Sequence, residues 1–77
     1  MGTALEVEAG LIRVQVNGEM KEVPPNESVA GLLAFLDLPG DRLAVEIDRA
    51  LVRKRDWPKV LVQQGARIEI VEFVGGG

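Results

Sequence analysis

The 77-residue sequence predicts one domain of the α+β class, in which a single helix covers one face of a small sheet. Three observations predict this class. The segment Leu11 to Val16 alternates apolar and polar residues, which is the period of a half-buried strand. The segment Val29 to Leu36 has the period of an amphipathic helix instead. Several short alternating segments follow that helix, so strands and helix are segregated along the chain.

The first strand is predicted to continue into a hairpin. Asn17-Gly18 follows it directly, and this dipeptide tolerates the positive φ values that a tight turn requires. Glu19 to Val23 is therefore expected to return antiparallel to the first strand. Pro24-Pro25 ends the second strand because proline cannot donate a hydrogen bond to a ladder.

The helix is predicted from both its start and its pattern. Ser28 stands where an N-cap residue is expected, and the helix should end near Asp37 because a proline-glycine pair follows shortly after. Phe35 lies beside the apolar stripe and is expected at the edge of the core. The stripe itself consists of Val29, Leu32, Leu33 and Leu36.

The second half of the chain predicts further strands. Leu43 to Ile47 alternates again, and Ala50 to Arg53 indicates a short fourth strand after the turn at Asp48-Arg49. Val60 to Val62 is expected to be a short extended piece. Arg67 to Phe73 is the last predicted strand.

Two features between these strands have alternative interpretations. Arg53-Lys54-Arg55 is a basic cluster in an acidic protein, and a solvated loop is a better interpretation than a contact to a phosphate or a partner. Trp57 could anchor an interface. A lone tryptophan beside a proline more often closes a small core, which is the interpretation preferred here.

Composition narrows the function. The chain has no cysteine and no histidine, which removes thiolate nucleophiles, imidazole bases and the usual zinc ligands, so an independent enzyme is not expected. A net charge of -3 disfavours nucleic acid as a partner, and no apolar run is long enough to span a membrane. A cytoplasmic protein is the expectation. The acidic residues without calcium-loop spacing, and hence without an expected metal, are Glu6, Glu8, Glu46, Asp48, Glu69 and Glu72.

The chain ends in three glycines directly after its last predicted strand, in the sequence Val71-Glu72-Phe73-Val74-Gly75-Gly76-Gly77. With the hairpin Val16-Asn17-Gly18-Glu19 and the helix segment Val29 to Leu36, this ending resembles the sulfur-carrier family ThiS of thiamine biosynthesis. The middle section Ala44-Val45-Glu46-Ile47, Leu51-Val52 and Trp57 also resembles that family. The resemblance covers Leu11 to Gly77.

The resemblance implies a β-grasp, ubiquitin-like fold, with a mixed sheet of four to five strands and one main helix. It implies that a ThiF-type, E1-like enzyme adenylates Gly77 with ATP, that the terminus becomes a thiocarboxylate, and that a ThiG-type thiazole synthase receives the sulfur. A separate protein would donate the sulfur. The chain itself would bind no cofactor. The implied domain limits are an extension at 1–10, the β-grasp domain at 11–73 and a flexible glycine tail at 74–77.

The last strand also suggests where the partners bind. If alternation continues, Val71 and Phe73 fall on the face opposite Ile68 and Ile70 and form an exposed apolar pair beside the tail. A β-bulge that returns Phe73 to the core is the alternative. The predicted partner-binding residues are Glu69, Val71, Glu72, Phe73 and Val74, with Gly75 and Gly76 threading toward the reactive Gly77.

Other functions remain open from the sequence. The small subunit of molybdopterin synthase also resembles this fold and ends in Gly-Gly. A protein modifier would conjugate its terminal glycine to lysines, and a plain interaction module would not use its glycines at all. Two features depart from the family: Asp48-Arg49 stands where many members have Asn-Gly, and Met1 to Gly10 is an extension that the resemblance does not explain.

Overall fold

The computed structural model describes residues 10–74, which form a five-stranded sheet with one α-helix on one face. The ranges 1–9 and 75–77 lie outside the described residues, and with them most of the predicted extension and the three glycines of the predicted tail. The predicted α+β class and β-grasp arrangement are confirmed. The elements are β1 (Ile12–Val16), β2 (Glu19–Val23), α1 (Val29–Phe35), β3 (Leu43–Ile47), β4 (Ala50–Val52), a 3₁₀ turn (Lys54–Asp56) and β5 (Arg67–Glu72).

The sheet is mixed, and its strand order is β2-β1-β5-β3-β4. The last strand in the sequence is therefore the central strand of the sheet. β5 runs parallel to β1 and antiparallel to β3, whereas β1 with β2 and β3 with β4 form antiparallel hairpins. β5 thus joins two hairpins that would otherwise be separate.

The first hairpin has the turn that the sequence predicts. Asn17 and Gly18 have φ values of 50° and 86°, which matches the positive φ at both central positions of a two-residue hairpin turn. Val16 pairs with Glu19 on either side of the turn. The pairing ends at Val23, just before the two prolines, as predicted.

The helix begins as predicted. Ser28 caps it, since its Oγ accepts a hydrogen bond of 3.0 Å from the backbone N–H of Gly31. The prediction for Phe35 is wrong: this side chain is 54% exposed instead of lining the core edge. Phe35 lies one position off the buried stripe, and at the last turn of a short helix that offset is enough to direct it away from the sheet.

The helix ends before the proline-glycine pair, and backbone hydrogen bonds at Asp37 and Leu38 terminate it. Asp37 has a left-handed φ of 61°. Its N–H donates to the carbonyl of Ala34 at 3.0 Å, and the N–H of Leu38 donates to the carbonyl of Leu33 at 2.9 Å. These two bonds satisfy carbonyls that the helix end would otherwise leave unpaired, the pattern of a Schellman motif with aspartate in place of glycine.

The core lies between the helix and the sheet. Trp57 closes one side of it, as predicted, with 6% of its surface exposed and its indole N–H donating to the carbonyl of Val52 at 3.0 Å. That bond satisfies the one polar group of the indole. The largest fully buried side chains are Leu32, Ile68, Val14, Val23, Val29 and Val45.

The second tight turn is built from less permissive residues. Asp48 and Arg49 have φ values of 51° and 74°. Two hydrogen bonds offset the cost of the positive φ at Asp48. Its Oδ1 accepts from the N–H of Arg67 at 3.0 Å, and its own N–H donates to the Arg67 carbonyl at 2.8 Å. Arg49 adopts the left-handed conformation without a comparable bond among the described residues.

The remaining predicted extended pieces are shorter than expected. The fourth strand ends at Val52, and Val60 to Val62 contributes only an isolated bridge between Leu61 and Ser28. Backbone bonds still tie this segment to the helix start, because the N–H of Val29 donates to the Val60 carbonyl at 2.8 Å. The loop therefore belongs to the layer that contains the helix.

Candidate functional site

The face of the sheet that the helix leaves uncovered is called the open face here. β5 crosses its middle, with Ile68 and Ile70 buried on the helix side and Glu69 and Val71 exposed on the open side. Ladder pairing continues past the strand end, because the N–H of Phe73 donates to the carbonyl of Arg42 at 2.9 Å. The backbone at Phe73, just before the predicted tail, is therefore held beside Arg42.

Val71 and Phe73 are both exposed, at 59% and 46%. The β3–β5 register runs without interruption from Ile47 opposite Ile68 to Leu43 opposite Glu72, so no bulge returns Phe73 to the core. Val74 is 89% exposed and is the last described residue. Gly75, Gly76 and Gly77 lie outside the described residues.

The two predicted acidic residues lie on different sides of the strand. Glu69 is exposed on the open face, and Glu46 of β3 lies directly opposite it. Glu72 has the parity of the buried isoleucines and lies opposite Leu43, so it is exposed at the end of the helix side. The structure thus brings Glu69, Val71 and Phe73 together on one face and places Glu72 on the opposite side of the strand.

Two residues of the open face were missed by the sequence interpretation. Glu46 faces Glu69 in one direction and Leu51 of β4 in the other, and Leu51 is 60% exposed. Like charges directly opposite each other across strands are destabilising, and neither glutamate forms an ion pair within residues 10–74. Alternation between Leu51 and Val52 could have placed Leu51 on the open face, but a strand of three residues is too short to show a clear alternation.

Asn17 has a second role that its turn motif does not reveal. Its side-chain oxygen accepts a bond of 2.8 Å from the N–H of Ile70, and its side-chain amide donates to the Ile70 carbonyl at 3.0 Å. This pair of bonds extends the β1–β5 ladder beyond its last backbone pairing. Asn17 therefore holds β5 at Ile70, one residue before Val71.

The basic cluster is exposed, as predicted. Arg53 precedes the 3₁₀ turn formed by Lys54–Asp56, and Arg55 lies 3.8 Å from the Asp56 carboxylate. The aspartate offsets part of the positive charge locally. Nothing in this arrangement gathers the three basic side chains into one site.

Inside the described range of 10–74, no group of three or more Asp, Glu, His or Cys residues is placed to hold a metal ion. The same range contains no helix long and apolar enough to cross a membrane.

Comparisons with known proteins agree with this geometry. The family model described as ThiS family matches residues 14–77, which includes the terminal glycines. A crystal structure of the thiamine biosynthesis protein (ThiS) from Geobacter metallireducens aligns with a TM-score of 0.75 and 25% identity, covering 86% of this chain and all of that one.

Two kinds of curated relative are similar in sequence. A protein called thiazole synthase from Magnetococcus marinus is 32% identical over 66 residues, covering 86% of this chain. This chain spans only 20% of that thiazole synthase. The uncharacterized protein ycf40 of Porphyra purpurea is 33% identical over 66 residues and is covered to 93% of its length.

Proposed function

The chain belongs to the ThiS family of sulfur carriers in thiamine biosynthesis, and we propose that the carboxylate of Gly77 is the group that carries the sulfur. The observation that supports this most directly is the family match, which runs through the glycines to residue 77. The structure adds that β5 leads to an exposed root at Val74. A carrier of this kind is a co-substrate of other enzymes and not itself a catalyst.

The proposed chemistry needs an activated acyl group. A free carboxylate is a poor electrophile because it is negatively charged and lacks a leaving group. Attack of the Gly77 carboxylate on the α-phosphorus of ATP would release pyrophosphate and form a mixed anhydride with AMP. Hydrosulfide (HS⁻) released by a donor protein would then attack the carbonyl carbon, expel AMP and, after loss of a proton, leave a terminal thiocarboxylate. The partner enzyme, and not this chain, would bind the ATP.

The composition of the chain is consistent with a carrier that supplies only the acyl group. It contains no cysteine or histidine, so the reactive sulfur would be held only at the terminus. Glycines lack Cβ atoms, which lets Gly75, Gly76 and Gly77 pass through a narrow channel. Four extended residues span about 13–14 Å, enough to reach a site buried in a partner. These steps would take place in the cytoplasm.

A thiazole synthase is the proposed receiver of the sulfur. Two curated thiazole synthases, from Magnetococcus marinus and Paramagnetospirillum magneticum, contain a segment similar to this chain at 32% and 33% identity. A carrier-like segment and the rest of the synthase share one polypeptide there. That arrangement supports direct contact between this chain and a ThiG-type synthase. A ThiF-type enzyme would perform the adenylation.

We define the docking surface as Glu69, Val71 and Phe73. The two apolar side chains are large, exposed and adjacent to the tail, which suits contacts that offset the entropy lost when the tail is ordered. Glu69, beside Glu46, would attract a basic residue of the partner. Glu72 and Val74 would contact the rim of the channel that the tail enters.

Intact-mass measurement of the protein from its native cell tests the carrier function. We expect a species in which one terminal oxygen is replaced by sulfur. A matched variant with one alanine appended after Gly77 should fold normally but support no pyrophosphate exchange with the activating enzyme, because its terminal carboxylate is displaced. Exchange at the normal rate with that variant, or no sulfur-bearing species in the wild type, would contradict the proposal.

A further inference from the structure

The open face has a second distinctive region, at the end farthest from the tail. A cleft of about 370 Å³ lies there, and Arg67, at the start of β5, forms part of its wall. Arg67 also borders a smaller neighbouring cleft of about 260 Å³, next to Arg49. The first cleft, called the Arg67 cleft, is further lined by Arg13, Gln15, Met20, Gln64 and Gly65.

Strand register fixes Arg67 on the open face. Arg67 is exposed while the next residue, Ile68, is fully buried, so the arginine projects away from the helix. Gln15 of β1 is its register partner on the neighbouring strand. Val71 is four residues further along β5, which places it about 13 Å away on the same face.

The Arg67 guanidinium and the Gln64 side-chain amide can both donate hydrogen bonds in the cleft. Gln64 Oε1 accepts a bond of 2.9 Å from the N–H of Arg13, which leaves its amide group available to donate. No carboxylate within residues 10–74 forms an ion pair with the Arg67 guanidinium. The cleft thus offers guanidinium and amide N–H groups to an acceptor from outside.

The net charge around the cleft is small and positive. Arg13 lies 3.6 Å from the Glu22 carboxylate, and Asp48 accepts the backbone N–H of Arg67. Arg13 and Arg67 are the charged residues that line the cleft, and the Glu22 partner of Arg13 leaves one positive charge there, in a protein whose overall charge is -3. Arg49 and Asp48 cancel in the neighbouring cleft, and Glu69 lies outside the lining of both. That balance matches a single carboxylate better than a dianionic phosphate.

We propose that the Arg67 cleft receives an aspartate or glutamate side chain of the thiazole synthase that accepts the sulfur. This inference rests on the proposed function. The cleft is continuous with the docking surface on one open face, and the charges along that face change sign, from Glu46 and Glu69 in the middle of the face to Arg67 and Arg13 at the end away from the tail. A partner with the reverse pattern can bind in one direction only, with the tail toward its active site.

The test compares Arg67→Glu with Lys59→Glu, which makes the same charge change on an exposed residue of the helix layer. Affinity for the thiazole synthase is measured by calorimetry for both variants and the wild type. Arg67→Glu is expected to weaken binding at least about tenfold, which corresponds to about 1.4 kcal/mol, and Lys59→Glu by less than about twofold. Equal affinities for wild type and Arg67→Glu, or equal losses in both variants, would overturn the inference.

Other occupants have distinct outcomes. Inorganic phosphate that binds the wild type but not Arg67→Gln, together with equal synthase affinities for the wild type and Arg67→Glu, would assign the cleft to a phosphate. A wild-type dimer that Arg67→Glu dissociates would assign it to a second copy. Either result overturns the inference. Adenylation of wild-type Gly77 is measured in parallel. This measurement shows whether the proposed carrier function is wrong, independently of whether the Arg67 cleft binds a carboxylate.

Discussion

The two sides of β5 make a direct comparison within one strand. Ile68 and Ile70 face the helix and are 0% and 9% exposed, whereas Val71 and Phe73 face away from it and are 59% and 46% exposed. All four are apolar and belong to the same central segment. Within residues 10–74 the buried pair packs in the core, whereas the exposed pair is left for the partner contacts proposed above. The two pairs therefore differ in which face of the strand they occupy and not in residue type.

Replacing one residue on each side of β5 tests this comparison most strongly. Ile68→Ala is expected to lower the free energy of unfolding by about 2–5 kcal/mol, because it removes buried methyl groups and leaves a cavity. Val71→Ala, the control on the open side, should change it by less than about 1 kcal/mol. Urea unfolding followed by tryptophan fluorescence measures both. Similar losses of unfolding free energy in the two variants would contradict this difference between the two sides of β5.

The hydrogen bonds between Asn17 and Ile70 provide the next largest effect. Asn17→Gly keeps the positive φ of the turn but removes both bonds, and should cost about 1–3 kcal/mol. Asn26→Gly is the matched control, because Asn26 has a φ of 63° and makes no side-chain hydrogen bond within the described residues.

Hydrogen exchange of the Ile70 amide distinguishes a local role from a global one. The loss of overall stability in Asn17→Gly predicts a certain increase in the exchange rate of this amide. An increase larger than that would show that Asn17 specifically holds β5 at Ile70. Exchange that follows global stability alone would contradict that role.

Phe73→Ala tests the open side for function. We expect about a tenfold loss of affinity for the adenylating enzyme, about 1.4 kcal/mol, with little change in unfolding free energy. Phe35→Ala is the control, since Phe35 is also a half-exposed phenylalanine but lies on the helix. A Phe73 variant that lost thermal stability while keeping its adenylation kinetics would place this side chain with the core residues.

The smallest expected effect concerns the second tight turn. Arg49→Gly should stabilise the protein by about 0.5–1 kcal/mol, because glycine removes the left-handed strain at φ 74° and only part of that gain is lost to unfolded-chain entropy. Asp48→Gly should not stabilise, since it removes the bond to the Arg67 N–H. Thermal melts of both variants measure this difference.

Local patterns predicted the elements well and their distant partners poorly. The alternation around Val14 and the cap at Ser28 depend on near neighbours, so the sequence was sufficient for them. The bonds of Asn17 join positions 53 residues apart, and no local pattern indicates them. Phe73 could follow the alternation or leave it at a bulge, and only the uninterrupted register with β3 decides this. The Arg67 cleft likewise requires β1 and β5 to be placed side by side.

The position of β5 at the sheet centre has a consequence for biosynthesis of the protein. During translation the two hairpins emerge first, and β5, the strand that joins them, is made after both. Contacts between β1 and β5 close a long loop, which makes their formation slow relative to either hairpin. A chain interrupted before β5 therefore has two hairpins and no strand to join them, so the sheet forms only after synthesis has passed Glu72.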